Sequence, residues 1–243
     1  MDRIRQARFK LHYIHYRLRR EIARIREEKD GVAAVEFALL LPLMLVLYIG
    51  TAELTTGLMA NRKMTLVARA VSDLIAQESA DTGVSTTTLE NIFSAAGAIM
   101  SPFSTSALEI TASSIKFVPK SGASASNPEY RAMTVWSVGN NASATKRRCD
   151  PYLGKVPNTT AASADTMPAG LYASGTIIVA DVRYVYTPNF GGSFLAWSTT
   201  QSSITMRHTT YMKPRTQDEI VYNASPSTIA NMTVCDPAPP SSY

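Results

Sequence analysis

Histidine and cysteine are scarce in this chain, three and two of 243 residues, and with them goes the raw material of most metal sites and of most acid–base catalysis. After His15 the one histidine is His208, inside the run ITMRHTTYM, whose alternation makes it a side chain on a sheet face rather than a general base. His12 and His15 stand at i, i+3 on a helical stretch, with no third ligand nearby. No serine sits in a G-x-S-x-G elbow, and Gly191–Gly192 leads into SFLAW rather than a phosphate-binding pattern. Acids outside the N-terminal region are scattered. The expectation is a protein that is not an enzyme and takes no metal or cofactor.

Charge is also unevenly supplied. Residues 1–31 hold ten Lys/Arg against five Asp/Glu, which accounts for the whole net +5; the remainder carries fourteen of each and is neutral. A basic pI spread over a domain face would point to nucleic acid, but here the excess lies in a leader, so no nucleic-acid partner is expected. The small basic cluster KRRC, Lys146 to Cys149, is read as a solvated loop.

Directly after the leader the chain turns apolar. VAAVEFALLLPLMLVLYIGTA, Val32 to Ala52, is 21 residues long with Glu36 as its one charge. At ~1.5 Å per residue such a helix spans about 30 Å, the thickness of a bilayer's hydrocarbon core. The preceding block of bases orients it with the N-terminus cytoplasmic and the bulk of the chain outside the inner membrane. A secretory signal is the alternative, but the leader is long and no small-residue cleavage site comes after the apolar run. Within the leader, Ile4, Phe9, Leu11, Ile14, Leu18, Ile22 and Ile25 form an apolar stripe suited to the inner membrane surface.

The helical pattern continues through ELTTGLMANRKMTLVARAVSDLIAQES, where Leu54, Leu58, Leu66, Ala70, Leu74, Val67 and Val71 recur at three- and four-residue steps. One helix over about Val32–Gln77 is expected, its second half packed on the domain C-terminal to it. A shorter helix is expected before Pro102, with a Ser/Thr-rich start and Glu90 in its first turn. From there the period becomes two: ALEITASSIKFV, YRAMTVWSV, GTIIVADVRYVYTP and SSITMRHTTYM read as four strands. The fold class is therefore α+β, a long membrane-spanning helix continuing into an exported domain with an antiparallel or mixed sheet of about four strands. The chain divides into a basic cytoplasmic leader over 1–31, a membrane helix over 32–52, its amphipathic continuation over 53–80, an exported domain over 81–235 and a loose tail over 236–243.

Both cysteines, Cys149 and Cys235, fall in the exported part and each precedes Asp-Pro. An oxidising compartment permits a disulfide between them. It would close a loop of about 86 residues and stabilise by ~4 kcal/mol in the chain-entropy view. The alternative is two unrelated thiols; no histidine or further cysteine stands near either at zinc spacing.

The costly residue is Glu36, since an ionised carboxylate in lipid needs a positive partner. A basic leader ending at Gly31, a glutamate five positions later, the aromatic Phe37 after it, an apolar run containing Pro42 and a second acid at Glu53 together resemble the TadE-like (TadE/TadG) proteins of tight-adherence pili, which are similar to type IV pilins. The resemblance is specific over Asp30 to about Ala70. It implies that Gly31 precedes a bond cut by a prepilin peptidase, that Val32 becomes the new N-terminus, and that Glu36, beside Phe37, pairs with the amine of an incoming subunit. It further implies a non-enzymatic minor pilin or pseudopilin-like component whose partners are other pilus subunits, the inner-membrane secretion platform and the membrane itself. The competing reading is an envelope-anchored binding or adhesin domain that is neither processed nor built into a filament.

Overall fold

The computed structural model describes residues 30–79, 83–122, 124, 129–149, 152–189, 203–215, 219–222 and 232–234. The basic leader up to residue 29, the tail beyond Val234 and Cys235 itself lie outside the described residues. Two units divide the chain, residues 1–54 and 55–243.

One helix, α1, runs from Asp30 to Ala76, and a second, α2, from Thr86 to Ile99. Helix α2 starts where Ser85 accepts a hydrogen bond from the Thr88 backbone N–H at 3.1 Å, satisfying one of the orphan donors of the first turn. Glu90 falls one residue beyond that turn, because the N-cap is Ser85 and not a later residue of the Ser/Thr run. Six strands come next in chain order: β1 Leu108–Pro119, β2 Tyr130–Gly139, β3 Gly154–Val156, β4 Thr166–Pro168, β5 Gly175–Tyr186 and β6 Ile204–Met212. A three-residue strand, β7 (Met232–Val234), forms one edge of the main sheet.

The main sheet has the order β6-β5-β1-β2-β7 and every pairing in it is antiparallel. Its four long strands are those the alternation marks; β7 adds a short fifth. The strands β3 and β4 form a separate parallel pair.

Both faces of the sheet are covered, which is why β2 is buried along almost its whole length despite its alternating pattern. One face packs under α1 and α2: Ile110, Ala112, Trp136, Val138, Ile178 and Ala180 meet Met64, Val67, Val71 and Ile75 of α1 and Leu89 and Phe93 of α2. The other face packs Ile115, Phe117, Ala132, Ile177 and Val179 against Leu153 and Met167 of the β3–β4 layer. A register shift between Ser114 and Ile115 leaves Val135 as an extra residue in β2. This bulge lets Ala132 serve the second core while Trp136 and Val138 serve the first, a switch that strict alternation forbids. Trp136 is fully buried, and its indole N–H donates to the Ile220 carbonyl at 2.9 Å.

The buried stripe of α1 differs from the leucine stripe expected from the sequence. Val67 and Val71 are buried as expected, but Leu54, Leu58, Leu66 and Leu74 are exposed, and the core takes Ala60, Met64, Ala68 and Ile75 instead. Size decides this. The alanines allow the helix backbone close to the sheet, so that Thr210 of β6 donates to the Ala68 carbonyl at 2.8 Å. A leucine at that position would hold the two apart. The end of α1 is tied to the same part of the sheet, since the Arg215 backbone N–H reaches the Ala76 carbonyl at 2.9 Å and the Arg215 side chain pairs with Asp73.

Candidate functional site: the exposed end of helix α1 and a polar cavity

The sequence places its candidate site residues at the start of α1, and the structure arranges them as a helix does. Val32 and Glu36 are one turn apart on the same face, about 6 Å along the axis. Phe37 is next, on the adjoining face. Nothing from the rest of the described residues covers them: Val32 is 58 % exposed and Phe37 60 %, and every large apolar residue from Val32 to Tyr48 is exposed. The helix is long and apolar enough to cross a membrane, and none of its most apolar stretch is buried within the protein. Apolar side chains left open over so many turns cost heavily in water, at about 25 cal/mol per Å², so the surface is built for lipid or for other helices.

Nothing among the described residues requires glycine at position 31. A Cβ there would meet nothing within 4 Å, and its φ is not positive. Gly31 is the second residue of α1, where glycine disfavours the helix less than in its interior.

Residues 31–73 match the family model for TadE-like proteins. That stretch is TadE-like. No curated protein and no solved structure matches the chain. The TadE-like segment contains both the open apolar turns and most of the residues that α1 contributes to the domain core, Met64, Val67, Ala68 and Val71 among them. The match suggests a role in tight-adherence pilus assembly, and the single apolar helix near the N-terminus suggests a membrane anchor.

A second site lies in the domain, and sequence reasoning missed it. Arg147, within the KRRC cluster expected to be a solvated loop, is only 2 % exposed. Its Nη2 donates to Asp181 of β5 at 2.7 Å and its Nη1 to the Ser163 carbonyl, while its backbone N–H donates to Ser137 Oγ at 3.0 Å. The neighbour Arg148 is exposed and pairs with Asp165 at 2.9 Å, which is the behaviour expected of the whole cluster. Asp181 also accepts from Thr209 of β6 at 2.7 Å. One step along the sheet, Glu109 of β1 accepts from Arg183 of β5 at 2.6 Å. These groups line a cavity of about 790 Å³ over the sheet, roofed by residues 158–165. No local signal in the sequence announces it, because the Arg147–Asp181 and Arg183–Glu109 pairs join residues more than thirty positions apart.

His208, the one histidine considered for catalysis, is half-buried on β6. Burial, with the Arg69 charge adding to it, holds its imidazole below the usual histidine range, so it is neutral near pH 7. Among the described residues it has no hydrogen-bonded nucleophile or carboxylate beside it.

Proposed function

We propose that the chain is a membrane-anchored, non-enzymatic minor pilin or pseudopilin-like component that assists assembly of a tight-adherence pilus. The observation that carries this reading is the open apolar stretch of α1 from Val32 to Ala52, with Glu36 as its one carboxylate, within the segment that matches TadE-like proteins. The leader faces the cytoplasm and the domain the periplasmic side, as the block of bases dictates. A prepilin peptidase cuts after Gly31 and creates the α-amine of Val32. Glu36, with Phe37 beside it, accepts that amine from an incoming subunit, and the subunits meet at the inner-membrane secretion platform. The glycine that the helix does not need is then explained as a requirement of the peptidase.

Mass spectrometry of membrane fractions tests the cut: a peptide starting at Val32, VAAVEF, is expected, and an exclusive population of peptides spanning Asp30–Val32 would refute processing. An uncut chain is an envelope-anchored binding domain, a reading favoured by the polar cavity.

Export also carries a proposal for the cysteines. We propose a Cys149–Cys235 disulfide. No cysteine among the described residues is a free thiol, β7 sets Val234 opposite Trp136, and the loop leading to Cys149 is fastened to the adjacent Ser137. Alkylation of the exported protein is expected to label neither cysteine before reduction and both after it, with reduction costing about 4 kcal/mol of stability. Two thiols labelled without reductant would refute the bridge.

A further inference from the structure

We propose that the cavity over strands β1, β5 and β6 binds an acidic saccharide, a sugar unit carrying a carboxylate. This inference does not depend on the pilus reading. The sheet register writes the site as two rows. Glu109, Arg183 and Arg207 stand side by side across β1, β5 and β6, and Thr111, Asp181 and Thr209 form the next row on the same face.

With Arg147 counted beside these rows, the positive charges exceed the negative ones by one. Glu109 is satisfied by Arg183, Asp181 by Arg147 and Thr209, and Asp165 by Arg148. Arg207 is left over: it is exposed, lies directly across from Arg183, and has no ion pair or hydrogen-bond partner among the described residues. Two like charges directly opposite on neighbouring strands are unfavourable unless an anion lies between them. Deeper in the same cavity, the buried guanidinium of Arg147 keeps its Nε without a partner, which is costly for a charged group out of water. A row with a spare cation above an under-satisfied one is a carboxylate receptor, and the planar fork of arginine suits that group.

The rest of the lining selects the kind of carboxylate. The roof offers hydroxyls and an amide, from Thr159, Thr160 and Asn158, and Tyr211 supplies a flat half-buried ring. Hydroxyls beside a ring face match a pyranose, whose edge is polar and whose face is C–H. The hydroxyls and amide gathered beside the Tyr211 ring set the saccharide ahead of an acidic peptide.

The test uses the full chain in detergent and calorimetric titration with three probes: trigalacturonate, its neutral counterpart galactotriose, and a glutamate-rich peptide. Trigalacturonate is expected to bind saturably, weakening as salt is raised, and galactotriose at least tenfold more weakly. Arg207→Gln should weaken trigalacturonate by roughly tenfold or more, and Arg215→Gln, which removes a charge paired outside the cavity, should leave it unchanged. The proposal is overturned if trigalacturonate shows no saturable binding, if galactotriose binds as well, if Arg207→Gln has no effect, or if the glutamate-rich peptide binds as tightly.

Discussion

Replacing Glu36 with alanine should leave the protein in the membrane and shift its partition away from the filament by up to about 100-fold. The number comes from the cost of the carboxylate. An acid at the centre of a membrane helix is disfavoured by roughly 2.5–3.5 kcal/mol on insertion scales, about two orders of magnitude, and Glu36, nearer the end of the apolar run, bears at most that. On the proposed assembly role, a subunit alone in lipid bears that penalty and loses it when Glu36 meets the Val32 amine of its neighbour. Alanine removes the penalty from both states, so the bias toward assembly disappears while the apolar helix still anchors. Counting pili by electron microscopy, with membrane fractionation alongside, checks both halves. Normal piliation with Glu36→Ala would end the pairing mechanism, whereas loss of the protein from the membrane would assign the glutamate a different job. Glu36→Asp, which keeps the charge on a shorter stem, should restore part of the assembly.

Asp181→Ala should destabilise the domain by about 3 kcal/mol or more, because it leaves the Arg147 guanidinium buried without its carboxylate and deprives Thr209 of its acceptor. The side chain of Asp181 is itself 27 % exposed, which places the loss toward the lower end of the 3–5 kcal/mol typical of broken buried pairs. For a domain of this size a melting temperature about 6–12 °C lower is expected. Arg148→Ala removes an exposed partner of Asp165 a single residue along the chain and should change stability by less than about 0.5 kcal/mol. Thermal melts of the two variants make the comparison; equal melting points would show that the buried pair contributes nothing. Arg147→Met combined with Asp181→Ala should recover part of the loss, since no charge is then stranded.

The sequence discloses the long elements and conceals the choices made between them. Period-two runs of β-branched and aromatic residues mark β1, β2, β5 and β6 even though both faces of the sheet are covered, and the apolar length of α1 could mean little else. Which stripe of α1 faces the sheet was not legible. Leu58 and Leu66 satisfy a helical period as well as Ala60 and Ala68 do, and only the distance between backbones, a tertiary quantity, separates them. The bulge at Val135 is silent for a similar reason: both faces of β2 are buried around it, Thr134 and Ser137 included, so no exposed residue records the change of face. Arg147 looked like its neighbours Lys146 and Arg148, and its burial is decided by an aspartate on another strand. On the proposed site in the membrane the case is reversed. Gly31 and Glu36 stand out in the sequence because they violate the local rule, a flexible residue and a charge where the helix asks for neither.

Anchor and domain share one element with no loop between them. The domain takes Ala60, Met64, Val67, Val71 and Ile75 from the same helix whose earlier turns are open, and the boundary of the compact unit falls at Leu54–Thr55 rather than near Thr86. Shedding of a soluble domain by an envelope protease therefore has a narrow window. A nick before Ala60 leaves the core residues of α1 with the domain, while one a few turns later takes Met64, Val67 and their neighbours away and leaves α2 alone on that face of the sheet.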